Sequence, residues 1–142
     1  IDGIWQDLKD KNGFTKDDVL SMYIPNSYDL YWNSTADNFR NKMLNEYCEF
    51  WSKSRSEKAN ELNLNYKEVA VLASIIHKET LVVDELPRIA GVYLNRLNRN
   101  MKLQADPTIV YSIKKGSENF DTLIKRLYYK DLRIRSKYNQ NC

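Results

Sequence analysis

A carboxyl group that keeps its proton near neutral pH can serve as a general acid, and an apolar setting is what keeps the proton there. Glu79 has that setting in this sequence. Val69, Leu72, Ala73 and Ile76 fall at i, i+3, i+4 and i+7, one face of a helix. At about 100° per residue, Glu79 returns to within roughly 20° of the Leu72 direction, so it continues the apolar stripe. It would also close the helix, where the macrodipole presents partial negative charge. Burial and the dipole both disfavour the ionised form, so the pattern predicts a buried general acid at Glu79. The plainer alternative is an exposed glutamate at a helix end, carried into water by fraying or by a turn. His77 points about 140° away from Leu72 and is expected in solvent, neither base nor ligand.

The elements around Glu79 can be read outward from it. Asn65 suits the N-cap of its helix, and Glu68, three residues on, completes a capping box. After a short connection over Thr80 to Val83, Asp84 would cap a second helix with Pro87 near its start. Leu86, Ala90, Tyr93, Leu94 and Leu97 form its inner stripe. Asn95 lies beside that stripe, and Arg96 and Arg99 are expected in solvent. Asn100 suits a left-handed C-terminal turn. The loop Gln104-Ala105-Asp106-Pro107-Thr108 then opens a third helix. Asp106 reads as its N-cap and Pro107 as its first residue, so Asp106 has an ordinary structural role to play. Gln104 has no such role. Tyr111 falls one turn inside this helix.

Three ordered blocks carry a resemblance. They are Ala73-Ser74-Ile75-Ile76-His77-Lys78-Glu79-Thr80, Pro87-Arg88-Ile89-Ala90-Gly91-Val92-Tyr93-Leu94-Asn95-Arg96-Leu97, and Leu103-Gln104-Ala105-Asp106-Pro107-Thr108-Ile109-Val110-Tyr111. Together they closely resemble the YceG-like family, as do Ile24-Pro25-Asn26-Ser27-Tyr28 and Tyr138-Asn139. Several blocks in order are far more specific than one short motif. The likeness runs from about Phe14 to Asn139. In three places the chain departs from the family pattern. His77 stands where many relatives have a second Glu, Ser27 replaces a common Thr, and the chain stops soon after Tyr138-Asn139, where relatives continue.

The resemblance implies an endolytic lytic transglycosylase acting on the glycan strands of peptidoglycan. The bond cut joins N-acetylmuramic acid to N-acetylglucosamine and leaves a 1,6-anhydro end. One residue suffices as acid and then base, whereas an ordinary glycosidase needs two carboxylates at a set separation. On this likeness Glu79 is the catalytic residue. Asn95 and Gln104 orient the sugar or stabilise charge on it, and Asp106, Tyr111, Tyr28, Tyr138 and Asn139 line the cleft. For Tyr111 a core role is as good a reading. No metal and no cofactor are called for. The likeness also implies peptidoglycan synthases as partners. It further implies a single-pass N-terminal anchor in the cytoplasmic membrane, absent from this chain, with the catalytic domain on the outer side. A non-catalytic peptidoglycan-binding module is the alternative.

Composition allows this and excludes little else. The chain has 142 residues, 42% of them hydrophobic, which suits one domain with a real core, residues 1–142. Ile1 is not a natural start, so the chain reads as a truncated catalytic portion of a longer protein. A net charge of +3, with Lys and Arg interleaved with Asp and Glu, argues against nucleic acid. Cys48 and the terminal Cys142 suggest no disulfide and no metal spacing. No run of 18 apolar residues is present to span a membrane.

The remaining segments set the fold class. Ile1 to Gly13 reads as a short helix or irregular lead-in, and Thr15 as the cap of a helix through Tyr23. Ser34 or Thr35 would cap one long helix to about Asn60, with Phe39, Met43, Tyr47 and Phe50 on its apolar stripe. Alternation over Ser27 to Trp32 and over Asp131 to Arg135 predicts two strands that could pair. A short helix from Asn119 or Asp121 to Tyr129 lies between. The sum is an α+β fold, predominantly helical with a small antiparallel or mixed sheet.

Overall fold

Five α-helices form the regular structure of residues 13–124 and 126–139, which are the residues described by this computed structural model. They are α1 (Ala36–Phe50), α2 (Lys53–Glu61), α3 (Tyr66–Glu79), α4 (Leu86–Asn98) and α5 (Asp106–Gly116). Three short 3-10 turns, Val19–Met22, Val83–Glu85 and Asp131–Arg133, join them. The chain divides into two compact units, Ile1–Val71 and Leu72–Cys142. The expected lead-in up to residue 12 and Cys142 lie outside the described residues.

In the first unit, Phe14, Val19, Met22 and Met43 form a buried cluster, with Tyr23, Tyr28, Leu44 and Tyr47 packed against it. Phe14 meets Tyr47 edge-on at 5.4 Å. Lys67 ties α3 to the segment before α1. Its ammonium lies 2.7 Å from Asp18, donates to the Gly13 carbonyl and sits over the Phe14 ring. The predicted helix from Thr15 to Tyr23 is a tighter structure. The Thr15 N–H donates to the Asp18 carboxylate, and only the 3-10 turn Val19–Met22 follows.

The capping box before α3 forms as read. The Asn65 N–H donates to Glu68 Oε2 at 2.8 Å, and Asn65 Oδ1 accepts from the N–H groups of Lys67 and Glu68 at 3.0 Å each. Two of the donors that the start of α3 leaves unpaired are satisfied in this way, and at α1 the Thr35 hydroxyl takes one, from the Asn38 N–H. The single long helix expected up to Asn60 is two helices. Thr35 caps α1, but the chain turns at Trp51 and restarts as α2. Two contacts explain the break. Trp51 stacks on Tyr66 at 4.5 Å, and Arg55 donates to the Phe50 carbonyl at 2.7 Å with its guanidinium over the Phe50 ring. The Phe50 carbonyl is thereby satisfied without the next helical N–H.

No strand occurs among the described residues, so the predicted sheet is corrected to an all-helical architecture. Ser27 to Tyr31 forms no ladder, and Trp32 lies in a turn closed by the Ser34 N–H on the Tyr31 carbonyl at 2.9 Å. Beyond the half-buried Tyr28 the segment faces water, with Tyr31 84% and Trp32 97% exposed. Its supposed partner is not a strand either, and only from Ile134 on is it extended. Asp131–Arg133 is a 3-10 turn. The Asp131 carboxylate accepts from the Tyr128 N–H, and the Asn139 amide donates to the carbonyls of Leu132 and Ile134 at 3.1 and 2.9 Å. These local bonds take up the backbone groups that a ladder would need. The short helix expected before it is also absent. Glu118, at φ 54°, ends α5, and Asn119 Oδ1 accepts the Asp121 N–H in a local turn. Phe120, Leu123 and Tyr129 are all exposed, and Ile124 and Leu127 are only partly buried, so little apolar surface is covered to hold a helix.

The second unit is built on α4, α5 and the C-terminal half of α3. Leu72 and Ile76 are buried on α3, Tyr93 on α4, and Leu103, Ala105, Thr108, Ile109 and Ser112 on or just before α5. Complete burial of Ile109 contributes about 1.5–3 kcal/mol of apolar transfer free energy. Helix α4 ends as predicted at Asn100, which takes φ 53°. The Met101 N–H bonds to the Arg96 carbonyl at 2.9 Å and the Asn100 N–H to that of Leu97 at 2.9 Å, the paired closure of a Schellman turn. That turn aims the chain into the 102–105 loop and α5.

Candidate active site

Glu79 is the last residue of α3, and its side chain is exposed. The expected burial is therefore not found. The apolar stripe is narrower than the spacing suggested. Leu72 and Ile76 are buried, but Ala73 between them is exposed, and Glu79 stands beyond the last buried contact. His77 is exposed, as expected.

The carboxylate is nonetheless held. The Tyr93 hydroxyl donates to Glu79 Oε2 at 3.0 Å. Tyr93 itself is only 5% exposed, so the donor is fixed in the core of the unit while the acceptor faces water. Its pKa is pushed up to about 12, first by burial, then by the Glu79 hydrogen bond and charge, with Asp106 adding to the effect and Arg96 opposing it. The hydroxyl thus remains a neutral donor throughout the physiological range.

Arg96, one turn beyond Tyr93 on α4, holds the following loop. One guanidinium nitrogen, Nη1, lies 3.2 Å from the Lys102 carbonyl, 2.8 Å from that of Leu103 and 2.9 Å from Gln104 Oε1. Gln104 has φ 53°, a left-handed backbone unusual for a residue with a long side chain. On either side of it Leu103 and Ala105 are buried, while Gln104 is exposed. Thr108 closes the turn, donating from Oγ1 to the Ala105 carbonyl at 2.7 Å. Ala105 occupies the capping position and Asp106 is the first residue of α5, so Asp106 is not the N-cap it was expected to be.

These contacts pair Glu79 of α3 with Tyr93 of α4, and Arg96 of α4 with Gln104 in the loop before α5. The sequence blocks that supply them match a known family model, described as the YceG-like family, over residues 2–141. The chain belongs to the YceG-like family. A protein of Bacillus subtilis (strain 168) named endolytic murein transglycosylase is 36% identical over 98 residues, covering 69% of this chain and 24% of that protein. One of the same name from Streptococcus pneumoniae serotype 2 (strain D39 / NCTC 7466) is 30% identical over 99 residues, covering 67% and 17%. The chain therefore spans a quarter or less of the length of these curated relatives. No solved structure matches.

Other residues carried over from the YceG-like pattern sit elsewhere. Asn95 is exposed and lines a shallow groove of about 230 Å³ with Val92, Arg96, Arg99 and Met101. Tyr111 and Tyr138 meet edge-on at 5.0 Å, with Phe120 tilted against Tyr111 at 5.9 Å. Asn139 is buried and its amide is engaged by backbone carbonyls, which gives it a structural role in this YceG-like chain. Tyr28 belongs to the first unit, where its hydroxyl donates to the Ile24 carbonyl and its ring packs on the Met22 cluster.

Sequence reasoning missed Tyr93 and Arg96, reading one as core and the other as solvated. A signal existed for Tyr93: a tyrosine on a buried stripe must find a partner for its hydroxyl. For Arg96 the only local hint was its place in the last turn of a helix, where basic side chains reach nearby carbonyls. Neither hint names the partner, because both contacts join separate elements.

Among the described residues, no group of three or more His, Cys, Asp or Glu is arranged to hold a metal. No helix among them is long and apolar enough to cross a membrane. Cys48 is free and exposed.

Proposed function

We propose that this chain carries the acid–base centre of an endolytic lytic transglycosylase, acting on the bond between N-acetylmuramic acid and N-acetylglucosamine in peptidoglycan. Glu79 gives its proton to the glycosidic oxygen as the C1–O bond breaks. The carboxylate so formed takes the proton of the C6 hydroxyl, whose oxygen closes onto C1 to give the 1,6-anhydro sugar. Atoms balance without water, and the enzyme returns to its starting protonation.

The observation that carries this reading is the Glu79–Tyr93 hydrogen bond. A buried neutral hydroxyl fixes one carboxylate oxygen of a side chain that is otherwise exposed. That arrangement suits a group that must meet a long, bulky strand from solvent, yet reach one oxygen with little orientational freedom. It also offers the carboxylate a donor at the moment it becomes charged. The names of the relatives and the family membership support the substrate class. On the same reading the intact protein works on the outer side of the cytoplasmic membrane, held by an N-terminal anchor, beside the peptidoglycan synthases.

Asp106, the first residue of α5 beside the Gln104 loop, is the second carboxylate that the competing chemistry would need. A hydrolase would use the two carboxylates together. End-group analysis of glycan released from purified sacculi by the intact protein separates the two. Anhydro ends are expected. Reducing ends in their place would overturn the transglycosylase reading and give Asp106 a catalytic role.

A further inference from the structure

We propose that Arg96 is a positioning residue for substrate: it fixes the Gln104 side chain so that the amide NH2 is presented to an acceptor oxygen of an N-acetylated glycan. This rests on the functional reading above and deepens it.

A guanidinium has donors only, so whichever end of the Gln104 amide meets it must be the oxygen. Oε1 lies 2.9 Å from Arg96 Nη1, and the NH2 end is left as the donor. The same nitrogen grips the carbonyls of Lys102 and Leu103, so the backbone leading into Gln104 and its side chain are fixed by one group. Arg96 is itself anchored, since its carbonyl accepts the Met101 N–H in the turn that ends α4. The left-handed φ of 53° at Gln104 is the conformation a glycine would take more readily. A long polar side chain held there, exposed between two buried neighbours, is a local strain of the kind that marks functional positions. The complementary chemistry on the glycan is a carbonyl-type acceptor. The acetamido oxygen, carried by both sugars of the strand, fits it. Tyr93 and Arg96 stand one turn apart on α4, so a single helix registers the acid and the sugar contact against each other.

The test is binding of peptidoglycan glycan strands to the intact protein, which needs no turnover. Gln104→Glu keeps an oxygen for Arg96, now with opposite charge, but has no donor. Its Kd is expected to rise about tenfold, the size of one hydrogen bond, with an unchanged or raised melting temperature. That ratio should persist in high salt, where simple charge repulsion is screened. Arg96→Met should raise Kd by a similar factor, and the double variant should be no weaker than Gln104→Glu alone. Wild-type affinity in Gln104→Glu overturns the inference. So does a double variant in which the two effects multiply, because Arg96 would then act apart from Gln104. Should Arg96→Met fail to fold, Arg96→Lys, which keeps the charge but not the planar fork, takes its place in the same cycle. If the unaltered protein binds no glycan, it is the functional reading that fails.

Discussion

Removing one oxygen atom, in Tyr93→Phe, probes the arrangement around Glu79 in two independent ways. The ring is 5% exposed and stays packed, so the substitution deletes the 3.0 Å hydrogen bond to Glu79 and little else. A bond to a charged group contributes about 1.5–3 kcal/mol, but the carboxylate is exposed and water can replace the lost donor. The lower end of that range applies, about 1.5 kcal/mol, which is roughly tenfold in rate. In glycan cleavage by the intact protein, kcat should fall about tenfold. KM should stay within about twofold, because the hydroxyl lies behind the carboxylate and not against the sugar.

Stability at high pH gives the second readout. The folded pKa of Tyr93, about 12, lies above the ordinary value of 10. The folded state therefore holds the proton more tightly than the unfolded state. The stability so gained is fully present below about pH 10 and is lost as pH rises through about 12. Two pH units correspond to at most about 3 kcal/mol. In denaturant titrations, the unaltered protein should lose stability between pH 10 and 12 and Tyr93→Phe should lose less. An unchanged kcat together with an unchanged alkaline slope would refute the account of this contact.

Three further outcomes follow from the same contacts. Burial alone would raise the pKa of Asp18, but its bonds from Lys67 and from Thr15 outweigh that and hold it below the usual carboxylate value. The stability it gives is present above about pH 4 and lost as pH falls further, so acid unfolding of Asp18→Asn should begin from a lower plateau and show a shallower slope there. Asn65→Ala removes a cap that takes two backbone N–H groups, and should cost about 1 kcal/mol in denaturant unfolding. Asn139→Ala leaves the carbonyls of Leu132 and Ile134 without their donor, and should cost about 2–3 kcal/mol, read as a fall in melting temperature.

What the sequence made legible was whatever is encoded in neighbouring residues. The capping box at Asn65 and Glu68 lies within four positions, and it forms as read. The end of α4 rests on Asn100 adopting the backbone that Asn tolerates better than most residues. The two absent strands show the opposite case. Alternation over Ser27 to Trp32 is compatible with a strand, but a strand exists only where another chain segment offers its N–H and C=O groups. Here the Asn139 amide engages the Leu132 and Ile134 carbonyls of the expected partner. The break at Trp51 depends on Tyr66 and Arg55, which no helical periodicity within α1 reports.

The candidate site divides along the same line. Periodicity and motif resemblance named Glu79, and resemblance named Gln104 and Asp106; the structure bonds Glu79 to Tyr93 and Gln104 to Arg96, two residues assigned to other tasks. Periodicity put Glu79 on the buried stripe of α3 but could not tell that the stripe ends at Ile76. The link from Tyr93 to Glu79 spans 14 residues and two helices, and that from Arg96 to Gln104 spans 8 and a reversal of direction. Such contacts follow from the packing of elements, not from the pattern of any one of them.

The central claim is that one carboxylate, Glu79, does the acid and base work. Glu79→Gln tests it most directly, since the amide keeps an oxygen for the Tyr93 hydroxyl and the fold should be unaffected. The quantity to measure is the yield of 1,6-anhydro ends from purified sacculi treated with the intact protein. Loss of the acid should lower it by a factor of about a hundred or more while glycan binding persists. Anhydro ends formed by Glu79→Gln at close to the unaltered rate would contradict the account.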